Sequence, residues 1–289
     1  MPELPEVETV RRGLSELIIG KIVRSSHNDT PKSFPNAVAD VKRSLHGSTV
    51  TVVRRRAKVL MIDLSTNYSL VIHLKMTGQL VFVNKDERFG AGHPNDSLVN
   101  ALPDASTRVT IEFQDGSQLF FNDQRKFGWV KLMPTVEIPE LPFMKKVGPE
   151  PLELDFTVEQ FAARFARRGR TNIKAAILDQ SVVAGVGNIY ADESLWGAKI
   201  HPKRLVATIT QQEFTELYAD LRAVMNLSIE KGGSSNRNYV NAEGKRGSYM
   251  DFARVFRREG LPCPRCGTTI EKLRVAGRGT HICPHCQVL

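Results

Sequence analysis

The first 262 residues contain no cysteine, which excludes a disulfide framework over nine-tenths of the chain. No apolar run approaches about 18 residues, so no transmembrane helix is expected. The start lacks a basic-then-apolar leader, so no secretory signal is expected and the reading is of an intracellular soluble protein. Internal repeats are missing too, as are a Ser/His/Asp elbow, a phosphate-binding P-loop and a zincin helix. Any nucleophile must therefore come from elsewhere. Acidic residues are in deficit, 31 against 40 Lys and Arg, giving a net charge of +9. That balance favours a polyanionic partner, nucleic acid ahead of a membrane surface, with a merely basic enzyme as the plainer alternative.

What is present divides by pattern. Val7, Val10, Leu14 and Leu17 recur at spacings of three and four, predicting a helix with Pro5 in its first turn and Gly20 at its end. From about 49 to 133 β-branched runs such as "KVLMIDL", "SLVIHLK" and "TRVTIEF" predict strands, with Asp115-Gly116 turning a hairpin. The polar stretch 84–106 reads as a long loop. Five prolines within 133–151 mark a linker. Helices follow, with capping boxes at Thr157/Gln160 and Thr210/Glu213. "KGGSSNRNYVNAEGKRGSYMD" (231–251) has no periodicity and reads as a loop. The expected fold class is α+β: a β-sandwich with an N-terminal helix (1–134), a linker (135–150), a helical domain (151–260) and a small cysteine module (261–289).

Cys263-x-x-Cys266 and Cys283-x-x-Cys286, sixteen residues apart, supply four thiolates for one tetrahedral structural Zn2+. A module of 27 residues buries too little apolar surface to fold alone, so the metal would supply its folding energy. His281 and His285 read as strand or surface residues, not ligands. Arg278, at the tip of the expected hairpin, could reach a phosphate or be simply exposed. In "GVGNIY" Asn188 is expected to cap a helix while the amides of Gly185 to Asn188 point outward, either as an anion site or as an ordinary cap. "RRRAKVL" (54–60) reads as a solvated charged face or a phosphate contact. In "DQRKFGW" Arg125 and Phe127 could enter a base stack, or Phe127 could pack in the core. The N-terminus offers a nucleophile: removal of Met1 would expose Pro2 as a secondary amine, with a pKa of about 8. Attack on a sugar C1′ gives an iminium directly, and Glu3 is placed to move a proton.

Together "MPELPEVE", "HLKMTG", "DQRKFGW", "ILDQSVVAGVGNIYADE" and the terminal four-cysteine finger resemble bacterial formamidopyrimidine-DNA glycosylases, in that family's motif order along the whole chain. The resemblance implies a base-excision repair enzyme that removes oxidised purines (8-oxoguanine and formamidopyrimidines) from double-stranded DNA and cleaves the abasic strand by β,δ-elimination. It also implies a helix-two-turn-helix domain in 151–260, and a monomeric protein of the bacterial cytoplasm and nucleoid that does not bind membranes. By position, Pro2 matches the nucleophile, Glu3 the acid/base and Glu6 a second carboxylate near the lesion. Lys58, His73, Asn188 and Arg278 match phosphate-holding residues. Met76, Arg125 and Phe127 match the trio that fills the hole left by the extruded base, Arg125 facing the orphaned cytosine. Lys174 matches a DNA-side lysine, and 232–252 the segment capping the flipped base. The chain departs from the family's pattern at Lys75, where glycine is expected, in the length of 84–106, and in lacking a histidine at the start of "STRVTIEF". The alternatives are an endonuclease VIII-like glycosylase for oxidised pyrimidines and a catalytically inactive zinc-dependent DNA-binding protein.

Overall fold

The computed structural model describes residues 2–234 and 248–289, so 235–247 of the expected capping segment, and Met1, lie outside the described residues. The chain separates into two compact units, Met1–Lys145 with Lys231–Ser248, and Lys146–Glu230 with Tyr249–Leu289.

The first unit opens with helix α1 (Leu4–Ile18) and continues through β1 (Val23–Asn28), α2 (Val38–Ser44), β2 (Val50–Arg56), β3 (Val59–Leu64), β4 (Tyr68–His73), β5 (Gly78–Val83), β6 (Arg88–Gly92), β7 (Thr107–Phe113), β8 (Gln118–Asp123), β9 (Trp129–Pro134) and α3 (Pro142–Lys146). Two antiparallel sheets result, β1-β7-β8-β5-β6 and β2-β3-β4-β9. Alternation decides which residues meet between them. Leu60, Ile62, Leu70 and Ile72 of the second sheet share one core with Leu80, Phe82, Val109 and Phe121 of the first. Val7, Val10, Leu14 and Ile18 of α1 join that same core, as the helical spacing predicts, although the buried stripe ends on Ile18 and leaves Leu17 half-buried. Gly20 takes φ 84° just beyond the helix, the left-handed stop the sequence pointed to.

Two expected irregular segments are structured. Within 84–106, β6 pairs with β5 in register Val83↔Arg88, and the Asn84 side chain turns the hairpin by accepting from the Asp86 and Glu87 amides (2.8 and 2.6 Å). β6 lacks strand-like composition because "RFGAG" lies at a sheet edge where bulk is excluded: a Cβ on Gly92 would sit 2.6 Å from the Gly78 carbonyl. Leu98, further along, covers Val81 and Phe120 on the outer face of that sheet. Within 133–151, the prolines start a 3-10 turn (Thr135–Glu140) and α3, and Ile138 packs on Val59, Met61 and Val71, the outward-alternating residues of β3 and β4.

The second unit holds α4 (Val158–Phe165), α5 (Ile173–Leu178), α6 (Asn188–Gly197), α7 (Gln211–Glu230) and the hairpin β10 (Glu271–Val275) and β11 (Arg278–Ile282). Both capping boxes form: the Gln160 amide donates to Thr157 (3.3 Å) and the Glu213 amide to Thr210 (3.2 Å), with the reciprocal bonds also made. Phe214, Leu217, Leu221 and Val224 bury one stripe of α7. α6 is buried from Tyr190 through Trp196, charged residues included.

Candidate active site

In the first unit the chain start is held by α1 itself. Pro2 is buried, and Glu3 takes the N-cap with extended backbone (φ −103°, ψ −172°). Glu3 and Glu6 form a capping box in which Glu6 Oε2 accepts from the Glu3 amide at 2.8 Å. Glu6 Oε1 also accepts from the Ser234 amide and hydroxyl (2.8 and 2.7 Å). Both carboxylates are almost fully buried, 3% and 2% exposed, at the end of a helix whose dipole favours negative charge. The residue next to the proposed amine is thus fixed by main-chain geometry and by a carboxylate shared with a segment 228 residues away.

Lys58 lies in the β2–β3 turn, directly before Val59, which pairs with His73, so its charge acts on the His73 ring. Burial, with the nearby charges of Lys75 and Lys58, pushes His73 down to about 3. Its Nδ1 accepts from the Lys75 amide (3.0 Å), so the neutral ring carries its proton on Nε2 and offers a single donor. Lys75 adopts φ 51°, a region glycine enters without cost, which is the physical reason a glycine suits that place in "HLKMTG". In "RRRAKVL", Arg54 is paired with Asp63 (2.6 Å) and Arg55 with Glu8 (3.1 Å), so both are committed within the fold.

Met76 and Arg125 come from two turns, 74–77 and 123–128, and Phe127 shares the second. Phe127 is 48% exposed and does not enter the core; the Arg125 guanidinium stacks on its ring at 4.9 Å. The two residues that hold these turns, Thr77 and Asp123, stand inside the quoted motifs without being marked there as functional. The signal was an aspartate opening a short loop that closes on glycine, an Asx-type pattern.

In the second unit Asn188 is the first helical residue of α6, not its cap; Gly187 holds that place. The side chain of Asn188 donates instead to the Gly279 carbonyl (2.9 Å), at the hairpin tip beside exposed Arg278. The Gly185 amide, expected to face outward, is taken by Gln180 Oε1 (3.0 Å). Lys174 is fully buried. Its ammonium donates to Asp192 Oδ1 (2.5 Å), Thr280 Oγ1 (2.6 Å) and the Gly279 carbonyl (3.3 Å), so it holds α5, α6 and β11 together. Asp192, which the sequence did not single out, also accepts from the His281 amide (2.9 Å) and faces its ring.

The four cysteine sulfurs lie within 4.8 Å of one another, with Sγ···Sγ separations of 4.0, 3.5 and 3.5 Å among the closest. A tetrahedron with Zn–S bonds of about 2.3 Å requires sulfurs roughly 3.8 Å apart, so the donor set fits one structural Zn2+ with no position open to substrate. The amides of Arg265 and Cys286 point at Cys263 and Cys283 (both 3.4 Å), lowering the negative charge the thiolates present to each other. His281 faces Asp192 and stays outside the cluster, as the sequence led us to expect. Among the described residues no helix is long and apolar enough to cross a membrane.

Three family models match in order: the formamidopyrimidine-DNA glycosylase N-terminal domain over 1–130, its H2TH domain over 147–239, and the zinc finger found in FPG and IleRS over 260–288. The chain is 43% identical over 289 residues to the formamidopyrimidine-DNA glycosylase of Pediococcus pentosaceus, covering the whole of both, and 42% identical over 287 residues to that of Streptococcus pneumoniae, covering 99% of each. Among solved structures, a variant of Lactococcus lactis FPG in complex with Fapy-dG containing DNA matches with a TM-score of 0.87 at 35% identity. MutM in complex with carbocyclic 8-oxo-G containing DNA matches with 0.86 at 34%, both over the full length of each chain. With matched domains in order and relatives of this likeness from end to end, the chain belongs to the formamidopyrimidine-DNA glycosylase family.

Proposed function

We propose that the protein is a base-excision repair enzyme of the bacterial cytoplasm, a DNA glycosylase and abasic-site lyase for oxidised purines, with Pro2 as nucleophile. The observation that carries this reading is the buried chain start, where Glu3 and Glu6 cap the helix that follows Pro2. After Met1 is removed, the Pro2 nitrogen attacks C1′ of an extruded nucleotide, since C1′ is out of reach while the base is stacked. The glycosidic bond breaks, the base leaves with its electron pair, and Glu3 moves the accompanying proton. The sugar ring then opens at C1′–O4′, O4′ keeping the electron pair and taking up a proton, and the iminium so formed acidifies C2′–H. Loss of that proton expels the 3′ phosphate, and a second elimination expels the 5′ phosphate.

Lys58 and neutral His73 are assigned to DNA phosphates on the first unit, and Asn188 and Arg278 to DNA phosphates on the second. Met76, Arg125 and Phe127 are assigned to the vacated space, with Arg125 donating to the orphaned cytosine. Exposure of the stacked Arg125–Phe127 pair supports this, because a core role for Phe127 would have buried it. Lys174 is assigned a positioning role: buried beneath Gly279, it fixes the carbonyl that Asn188 also uses. The zinc holds the hairpin and takes no part in bond breaking.

Borohydride should trap a covalent complex with an 8-oxoguanine:cytosine duplex. Pro2→Gly should weaken trapping, and a blocking N-terminal extension should abolish it. Zinc-loaded protein of correct N-terminal mass that excises the base without trapping would sink the Pro2 assignment. Faster excision of thymine glycol than of 8-oxoguanine would favour the pyrimidine-directed alternative.

A further inference from the structure

The residues assigned to the vacated space come from two separate turns, yet a wedge works only if its parts keep a fixed spacing. One buried group ties these turns together. Asp123, fully buried at the end of β8, uses both carboxylate oxygens inside the protein. Oδ1 accepts from the hydroxyl of Thr77 and, at 3.3 Å, from the Arg125 amide; Oδ2 accepts from the Gly128 amide at 2.7 Å. The Thr77 hydroxyl accepts in turn from the Arg125 amide at 3.1 Å. Thr77 directly follows Met76, so one hydroxyl and one carboxylate join the turn of Met76 to the turn of Arg125 and Phe127.

The carboxylate itself has no freedom to shift. The Asp123 amide donates to the Ser106 carbonyl (2.7 Å), and its own carbonyl accepts from Arg108 Nε (2.8 Å). Gly128 closes the turn so tightly that an added Cβ would lie 2.8 Å from the Phe121 ring and 3.0 Å from the His73 carbonyl. Neither Thr77 nor Asp123 presents a group outward: the hydroxyl is 8% exposed with its residue, and the carboxylate not at all.

We propose that Thr77 and Asp123 are positioning residues that set opposite-base specificity, by holding the Arg125 amide so that its guanidinium meets the orphaned base in one register. Cytosine presents two adjacent acceptors, O2 and N3, whereas adenine presents an acceptor beside a donor, so an arginine in fixed register discriminates between them and a loosened one does not. This rests on the assignment of Arg125 given above. It goes beyond it in placing the source of selectivity in two groups that touch no DNA.

The test is single-turnover excision of 8-oxoguanine opposite cytosine and opposite adenine, by the parent, Thr77→Val, Thr77→Ser, Asp123→Asn and Arg125→Ala. The ratio of the two rates is independent of the active fraction, so a partly unfolded variant still gives a valid reading. Thr77→Val keeps the shape and removes the hydroxyl; its cytosine preference should fall about tenfold, some 1.4 kcal/mol of discrimination. Thr77→Ser should restore the ratio to within about threefold of the parent, and Asp123→Asn should fall in the same direction as Thr77→Val. A Thr77→Val ratio within twofold of the parent, beside a collapsed ratio for Arg125→Ala, overturns the positioning role alone. An unchanged ratio for Arg125→Ala overturns the reading of Arg125 and the proposal with it.

Discussion

Two turns of this protein each present an exposed arginine, and they are held by opposite means. Arg125 sits on a turn of the sandwich, whose residues on two sheets and α1 share one core. There the carboxylate of Asp123 holds a turn whose flanking strands, β8 and β9, are themselves paired within the two sheets. Arg278 sits at the tip of β10–β11, a hairpin whose module buries only Cys263, Ile270, Val275, Ile282 and Cys283 as apolar residues. A segment that small cannot offset its own chain entropy. Its base is fixed by a metal and its tip by a buried ammonium ion, through Gly279 and Thr280. The same task is met by local hydrogen bonds where the core is large, and by charge where there is almost none.

Removing the metal should break the comparison most completely. Structural zinc of this type binds with about 10–16 kcal/mol, which exceeds any stability the hairpin has without it. Chelation, or Cys283→Ser, should abolish amide-exchange protection over 271–282 and cut DNA affinity by at least about a hundredfold. Protection over 59–73 and 118–123 should remain. A hairpin still protected in metal-free protein would show that the buried apolar residues hold it unaided.

A smaller and more local effect is expected at Lys174. With its ammonium gone, Asp192 keeps the His281 amide but loses its counter-charge in a site 0% exposed on both sides. Lys174→Met should therefore destabilise the second unit by about 3–5 kcal/mol, with the sandwich transition unmoved. Lys174→Met with Asp192→Asn should recover part of that loss, because no charge is then buried alone. A double variant no better than the single would mean that the pair is not the source of the cost. Lower DNA affinity in the recovered double variant, at normal zinc content, would mark Lys174 as positioning the hairpin tip.

Whatever depended on spacing was legible in the sequence: the stripe of α1, the Asp115-Gly116 hairpin, both capping boxes and the four-cysteine set. Each follows from a local rule that names its own residues. The segment 84–106 reads as a loop because β6 is glycine-rich at a sheet edge, where close approach of Gly78 replaces the usual β-branched pattern. The five prolines of 133–151 read as a linker, yet Ile138 packs on the sandwich's outer face. Asn188 was expected as a cap because asparagine is a good one; its bond to Gly279 depends on a strand about 90 residues away, which no local pattern encodes. Lys174 illustrates the same limit, since nothing in "TNIKAAIL" marks its lysine as buried.

The smallest effect sharpens the comparison by asking whether the sandwich also leans on charge. Glu8 of α1 reaches Arg55 of β2 (3.1 Å) and Arg11 of its own helix (2.8 Å). Burial alone would raise its carboxyl, but the hydrogen bonds of Arg11 and Arg12, with the charges of Arg11 and Arg55, overcome that and hold it down to about 2, against 4.5 when unfolded. Between those values the unfolded chain binds more protons, so the contribution of Glu8 is complete above pH 4.5 and drains away as the pH falls toward 2. Glu8→Gln should lower the sandwich Tm by a few degrees at pH 6, and the gap to the parent should narrow steadily on acidification. A gap independent of pH would assign the effect of Glu8 to packing alone. The gap at pH 6 should also shrink in high salt, because Arg12 of the cluster is more than half exposed and screened by solvent. A modest, acid-labile increment of this kind is what a unit with a large apolar core can lose without unfolding.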